Sequence, residues 1–70
     1  MKIERRLFEK YPHGDLEIWI TDVGKIEVLR ESDGYQWRFT GKGRFPFSND
    51  KRYSSSGAAF EAAREMLESD

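Results

Sequence analysis

Apolar and polar residues alternate along three stretches of the chain, at about residues 16–21, 25–31 and 35–40. Each stretch is rich in Ile, Val, Trp or Phe, and alternation with that composition is typical of strands that bury one face. Gly14 precedes the first stretch, Gly24 and Asp33-Gly34 lie between the stretches, and glycine reaches the positive φ that tight hairpins need. The pattern therefore predicts three antiparallel strands joined by short turns.

The segment at about residues 3–11 fits two structures. A helical stripe would gather its four large apolar side chains, Ile3, Leu7, Phe8 and Tyr11, and would give the element order αβββα. Against a helix, the segment has no N-cap residue, and Pro12-His13-Gly14 after it is typical of a hairpin turn. We favour a strand and keep αβββα as the alternative.

Glycine and proline between residues 41 and 54 predict a long loop, because neither suits a central strand. Ser54–Ser56 then offers an N-cap for a helix at about residues 57–68. Its apolar face consists of Ala59, Phe60, Ala63 and Leu67. The predicted fold is a single α+β domain over residues 1–70. It is an antiparallel four-stranded meander with one C-terminal helix packed on one face, in the order ββββα.

The turns also predict a register. A three-residue loop at 22–24 and a two-residue loop at 33–34 would place Trp19 opposite Glu27 and Leu29 opposite Arg38. The first turn would likewise place Leu7 opposite Trp19 and Phe8 opposite Ile18. The inner face would then hold Leu16, Ile18, Ile20, Ile26, Val28, Tyr35, Trp37 and Phe39, and the outer face Glu17, Trp19, Glu27, Leu29, Glu31 and Arg38.

One helix cannot cover both faces of a four-stranded sheet, so we expect the outer face to be open. An apolar anchor with a polar rim is typical of a protein contact. The candidate anchors are Trp19 and Leu29, with Glu17, Glu27 and Arg38 setting the orientation of a partner. The alternative is that the loop at 41–53 shields Trp19.

The formal net charge of −1 conceals a separation along the chain. Residues 1–34 sum to −2, residues 35–53 to +4 and residues 54–70 to −3. The basic middle is interleaved with Phe45, Phe47 and Tyr53, a combination that meets acidic groups or nucleic acid. Its candidate contact residues are Lys42, Arg44, Lys51 and Arg52.

Catalytic candidates are few in this chain of 70 residues, which has no Cys and one His. Without cysteine there is neither a disulfide nor a thiolate metal site. His13 could act as an acid or base, but its place between Pro12 and Gly14 favours a turn residue. The serines at 54–56 have no neighbouring base in the sequence and favour helix capping. We therefore expect no enzymatic activity, metal site or cofactor.

The order of three strands and a helix is similar to the DNA-binding domains of plant ethylene-response factors and the arm-binding domains of phage integrases. That resemblance implies a sheet entering the major groove with Arg and Trp, which Arg38 and Trp19 would match; Glu17, Glu27 and Glu31 would repel phosphate on the same face. With a helical first segment, the order is similar to double-stranded-RNA-binding domains.

The leading functional hypothesis is a non-enzymatic protein that docks on a macromolecular partner, a protein or a nucleoprotein complex. A stoichiometric inhibitor or adaptor fits this description, for example a phage-encoded inhibitor of a host defence system such as an anti-CRISPR. The alternative is a nucleic-acid-binding module that uses residues 38–53, and the open face would also suit a homodimer. No apolar run is long enough for a membrane span or signal peptide, so we expect a cytoplasmic protein.

Overall fold

The computed structural model describes residues 1–12, 14–41, 48–49 and 51–68. Its elements are β1 (Ile3–Tyr11), β2 (Gly14–Thr21), β3 (Gly24–Glu31), β4 (Gly34–Gly41) and α1 (Ser56–Glu68). The four strands form one antiparallel sheet in the order β1-β2-β3-β4. The predicted ββββα order is confirmed, and the αβββα alternative is wrong because residues 3–11 are a strand.

The β2–β3 turn contains two residues, Asp22 and Val23, and not the three that were predicted. The Thr21 hydroxyl oxygen accepts hydrogen bonds from the N–H groups of Val23 (3.2 Å) and Gly24 (3.1 Å) and donates to the Gly24 carbonyl (2.8 Å). Gly24 begins β3 with a φ of 153°. A Cβ there would lie 2.6 Å from the Thr40 carbonyl oxygen, so glycine is needed at this position.

The shorter turn shifts the β2–β3 register by one residue. Trp19 lies opposite Ile26, whereas the sequence placed it opposite Glu27. Because side chains alternate across a strand, a shift of one residue exchanges the two faces of β2. Trp19 therefore lies on the side of the helix, and Ile18 and Ile20 lie on the opposite face, which corrects the predicted assignment of all three.

The other two hairpins also differ from the predicted registers. Val28 lies opposite Trp37 and not Phe39, because the β3–β4 turn consists of Ser32 and Asp33. That shift is two residues and leaves both faces as predicted. In the first hairpin, Leu7 lies opposite Ile18 and Phe8 opposite Glu17.

The core lies between α1 and the sheet. It consists of Trp19, Ile26, Val28, Trp37, Phe39, Ala59, Phe60 and Ala63. Trp19 stacks on Phe60 with ring centroids 4.4 Å apart, and small alanines let the helix lie close to β3 and β4. The Ser55 hydroxyl caps the helix by accepting a hydrogen bond from the Ala58 N–H at 3.1 Å.

The corrected register can be tested with Ile20 and Ile26, which the sequence paired in the core. We expect Ile26→Ala to lower the free energy of unfolding by about 2–5 kcal/mol, because Ile26 is fully buried. Ile20→Ala is expected to cost less than half as much, since Ile20 is partly exposed on the other face. Urea denaturation measures both, and equal losses would contradict this register.

Candidate docking surface

The sheet face opposite α1 carries a patch of aliphatic side chains, and we call this face the open face. Each side chain of the patch is partly exposed. Cross-strand pairing makes the patch continuous, since Leu7 lies opposite Ile18 and Leu16 lies opposite Leu29. We call this set the apolar patch: Leu7, Leu16, Ile18, Ile20 and Leu29.

An ion cluster borders the apolar patch. Glu27 lies opposite Ile18 on β2 and opposite Arg38 on β4. Its Oε1 atom is 3.2 Å from Nη2 of Arg38 and 3.9 Å from Nζ of Lys25. Glu27 is buried although it lies on the open face, and the two cations offset the cost of removing its carboxylate from water.

The two cations of this cluster are available to a partner. The side chains of Lys25 and Arg38 are 46% and 51% exposed, against 10% for Glu27. An ammonium has three donors and a guanidinium has five, so one shared carboxylate leaves most of them in water. The cluster is therefore a preformed polar rim for the apolar patch.

The residues that the sequence predicted for the open face separate into two groups. Leu29, Glu27 and Arg38 lie together on the open face, as predicted. Trp19 and Glu17 lie on the side of the helix, so their predicted place on the open face is wrong.

Trp19 and Glu17 instead take part in the packing of the helix side. The guanidinium of Arg6 lies over the Trp19 ring, 5.1 Å from its centroid, and its Nη2 is 2.9 Å from a Glu17 carboxylate oxygen. Trp19 is thus enclosed between Phe60 and Arg6. Shielding by Phe45 or Phe47 lies outside the described residues.

Sequence reasoning missed Leu16, Ile18 and Ile20 as surface residues because it placed them in the core. One signal for their true position is present in the sequence. Threonine directly before a two-residue Asp-Val turn can hold that turn with its hydroxyl group. A β2–β3 turn of two residues instead of three places Leu16, Ile18 and Ile20 on the open face, as the structure shows.

The structure describes only part of the basic stretch at residues 35–53. Lys42, Arg44 and His13 lie outside the described residues, and Lys51 is exposed. Arg52 forms ion pairs with Asp33 and Glu31, each at 3.1 Å.

Other contacts help to hold this segment against the sheet. Tyr53 forms an antiparallel bridge with Tyr35 through two backbone hydrogen bonds of 2.9 Å. Asn49 donates to the Tyr53 hydroxyl at 2.9 Å, and Gln36 donates to the Asn49 carbonyl at 3.2 Å. Arg52 therefore belongs to a set of contacts that fasten Asn49, Arg52 and Tyr53 beside β4.

A shallow recess of about 180 Å³ opens beside the Leu16–Leu29 pair. Tyr11 and Arg30 form part of its wall, and Arg30 is 3.9 Å from the Asp15 carboxylate. A recess of this size beside an apolar patch can accept one side chain of a partner, which is how anchor residues bind.

Two negative findings concern the described residues alone. In ranges 1–12, 14–41, 48–49 and 51–68, no three His, Asp or Glu side chains are grouped to hold a metal ion. Among the same residues, no helix has both the length and the apolar character that a membrane span requires.

The structural role of Arg52 can be separated from a role in binding. We expect Arg52→Ala to lower the free energy of unfolding by about 1 kcal/mol in low salt, because two partly exposed ion pairs are lost. The loss is expected to shrink at about 1 M NaCl through screening. Lys51→Ala is the matched control, and an equal loss in both variants would contradict the assignment.

The chain was also compared with known proteins. No protein-family model, curated protein or solved structure matches it.

Proposed function

We propose that this chain is a small, non-enzymatic binding protein whose open face docks on the surface of a protein partner. One observation carries the proposal: the apolar patch adjoins the preformed cluster of Lys25, Glu27 and Arg38 on a face opposite the helix. Partly exposed aliphatic side chains with a charged rim are the usual composition of a protein interface.

The chemistry of the open face favours a protein over nucleic acid. Aliphatic side chains provide no flat ring on which bases could stack. The carboxylates on this face, Glu9, Glu27 and Glu31, are balanced by the cations Arg5, Lys25 and Arg38. The described part of the face therefore has no net positive charge to attract phosphate, whereas an apolar protein surface with acidic groups facing Lys25 and Arg38 would be complementary.

The size of the face indicates the kind of complex. Four strands of about eight residues span roughly 19 × 27 Å, which is roughly 500 Å² on one side of the sheet. Standard protein complexes bury about 800 Å² on each partner. A single copy would therefore form a modest interface, and the recess beside Leu16 and Leu29 would add an anchor.

The mode of action that we propose is occupation of a partner's surface. The open face belongs to a hydrogen-bonded sheet whose other side packs on α1. Such a face changes little on binding and loses little conformational entropy. This suits a stoichiometric inhibitor or adaptor.

The proposal can be tested by capture from cells of the source organism with the full chain as bait. We expect one protein to remain bound at about 0.5 M salt, because apolar contacts are not screened. Ile20→Lys and Leu29→Lys should each abolish capture of that same protein. Val23→Lys is the matched control, since Val23 is 49% exposed in the β2–β3 turn and outside the apolar patch.

Two results would contradict this function. The first is capture that persists in both open-face variants while circular dichroism shows that they are folded. The second is salt-labile binding to duplex nucleic acid that disappears when Arg44 and Arg52 are both changed to Ala. The second result would support the nucleic-acid-binding alternative.

A further inference from the structure

The first strand forms an open edge of the sheet. β1 and β4 are the two edge strands, and Tyr53 bridges Tyr35 on the β4 side. Every residue of β1 except Leu7 is exposed. The outward N–H and C=O groups of an exposed edge strand form a template for pairing with another strand.

Geometry limits how two copies can pair through β1. A two-fold axis perpendicular to the sheet makes the strands antiparallel and keeps each side chain on its own face. Opposite residues must then belong to the same face, so the axis passes between two copies of one residue. A register shift between Ile3 and Arg5 leaves Arg5–Tyr11 as the regular part of the strand.

The charges of β1 select one of these registers. With the axis at Leu7, Arg5 lies opposite Glu9 in both halves, and Arg6 lies opposite Phe8. An axis at Arg6 or Glu9 would place that charged residue opposite itself. An axis at Phe8 would place Arg6 opposite Lys10. Like charges directly opposite each other are unfavourable, and among the registers centred on a residue from Arg5 to Lys10, only the Leu7 register has no such pair.

Parallel pairing is excluded by symmetry. A two-fold axis along the strand would exchange the two faces of the sheet, so equivalent residues would lie level with each other on opposite faces and the two pleats would not form a regular ladder. Charged side chains on an edge strand usually discourage its pairing with another chain. The mixed charges of β1 are instead arranged so that they complement each other in one antiparallel register.

We propose that this chain forms a two-fold homodimer in which β1 pairs antiparallel with β1 of a second copy, centred on Leu7. The two sheets become one eight-stranded sheet. On the helix side, Phe8, which is 53% exposed, lies beside the aliphatic part of the second copy's Arg6, whose guanidinium stays over Trp19 of its own copy. On the other side, Leu7 meets Leu7, and the two apolar patches become one surface.

Contacts within one copy prepare this edge. The Tyr11 hydroxyl donates a hydrogen bond to the Glu9 carboxylate, which raises the pKa of Tyr11. This hydrogen bond holds the Glu9 side chain along β1, where Arg5 of the second copy would lie opposite it. Among the described residues, Arg5 forms no side-chain hydrogen bond or ion pair, so its guanidinium is available.

The dimer can be tested by sedimentation equilibrium from about 1 to 500 µM, where we expect reversible association. Arg5→Glu and Glu9→Arg should each weaken association by about tenfold or more, because each places like charges opposite each other twice. An equimolar mixture of the two variants should form a heterodimer, since each charge then meets its opposite. Lys51→Glu is the charge-reversal control, and its association should match that of the original chain.

Cysteine cross-linking tests the register itself, because the chain has no cysteine of its own. Opposite residues have Cβ atoms about 5 Å apart, close to the span of a disulfide, whereas diagonal neighbours are about 7–8 Å apart. Leu7→Cys should therefore form a disulfide-linked dimer on mild oxidation. Phe8→Cys, at a more exposed position, should form much less.

Three results would overturn the dimer: a monomer at every concentration, a dimer unaffected by Arg5→Glu and Glu9→Arg, or faster cross-linking at position 8 than at position 7. A dimer that is lost only with Leu29→Lys would place the contact on the open face instead. The dimer is formed through the sheet edge, so a monomeric protein would leave the proposed docking of the open face intact. Failure of partner capture would likewise leave the dimer untouched.

Discussion

The turn between β2 and β3 is the constraint on which the rest of the structure depends. The Thr21 hydroxyl accepts two hydrogen bonds and donates one, and these three bonds hold Asp22 and Val23 as a two-residue turn. The turn sets which face of β2 is buried, because a shift of one residue exchanges the faces of the strand. It brings Trp19 under Phe60 and leaves Ile18 on the open face. The core and the candidate docking surface are therefore two consequences of one local hydrogen-bond pattern.

Several ion pairs of this protein join neighbouring strands. The chain is 36% charged with a net charge of −1, and its carboxylates meet cations across the sheet, as in the pairs Arg6–Glu17 and Arg38–Glu27. Such pairs contribute little to stability individually, but they orient long side chains. Local compensation on the open face favours recognition by shape and apolar contact over attraction of phosphate. Along β1, the same mixture of signs selects a single antiparallel register.

The success of sequence reasoning depended on the size of each register error. The β3–β4 turn differed from its prediction by a shift of two residues, which preserves faces, so Leu29, Glu27 and Arg38 were placed together correctly. The β2–β3 turn differed by one residue, so Trp19 and Glu17 were placed on the wrong face. Both Gly24 and Gly34 begin strands with positive φ, whereas the sequence assigned them to loops. Glycine indicates a turn but does not specify its length.

The sequence by itself determined the three strands and the helix after residue 14, the helix face with Phe60, and the expectation that one sheet face is open, while it left residues 3–11 as a strand or a helix. These features follow from alternation, helical spacing and turn residues, which act over a few neighbouring positions. The residues at 21–24 are compatible with a turn of two or three residues, and only the tertiary structure decided between these lengths and therefore which residues occupy the open face. That choice required burying Trp19 against Phe60 on a distant helix, and a large aromatic pair gains more from burial than aliphatic side chains at the same positions. Local sequence signals do not reveal this difference in the gain from burial, because Trp19 and Phe60 lie far apart in the chain.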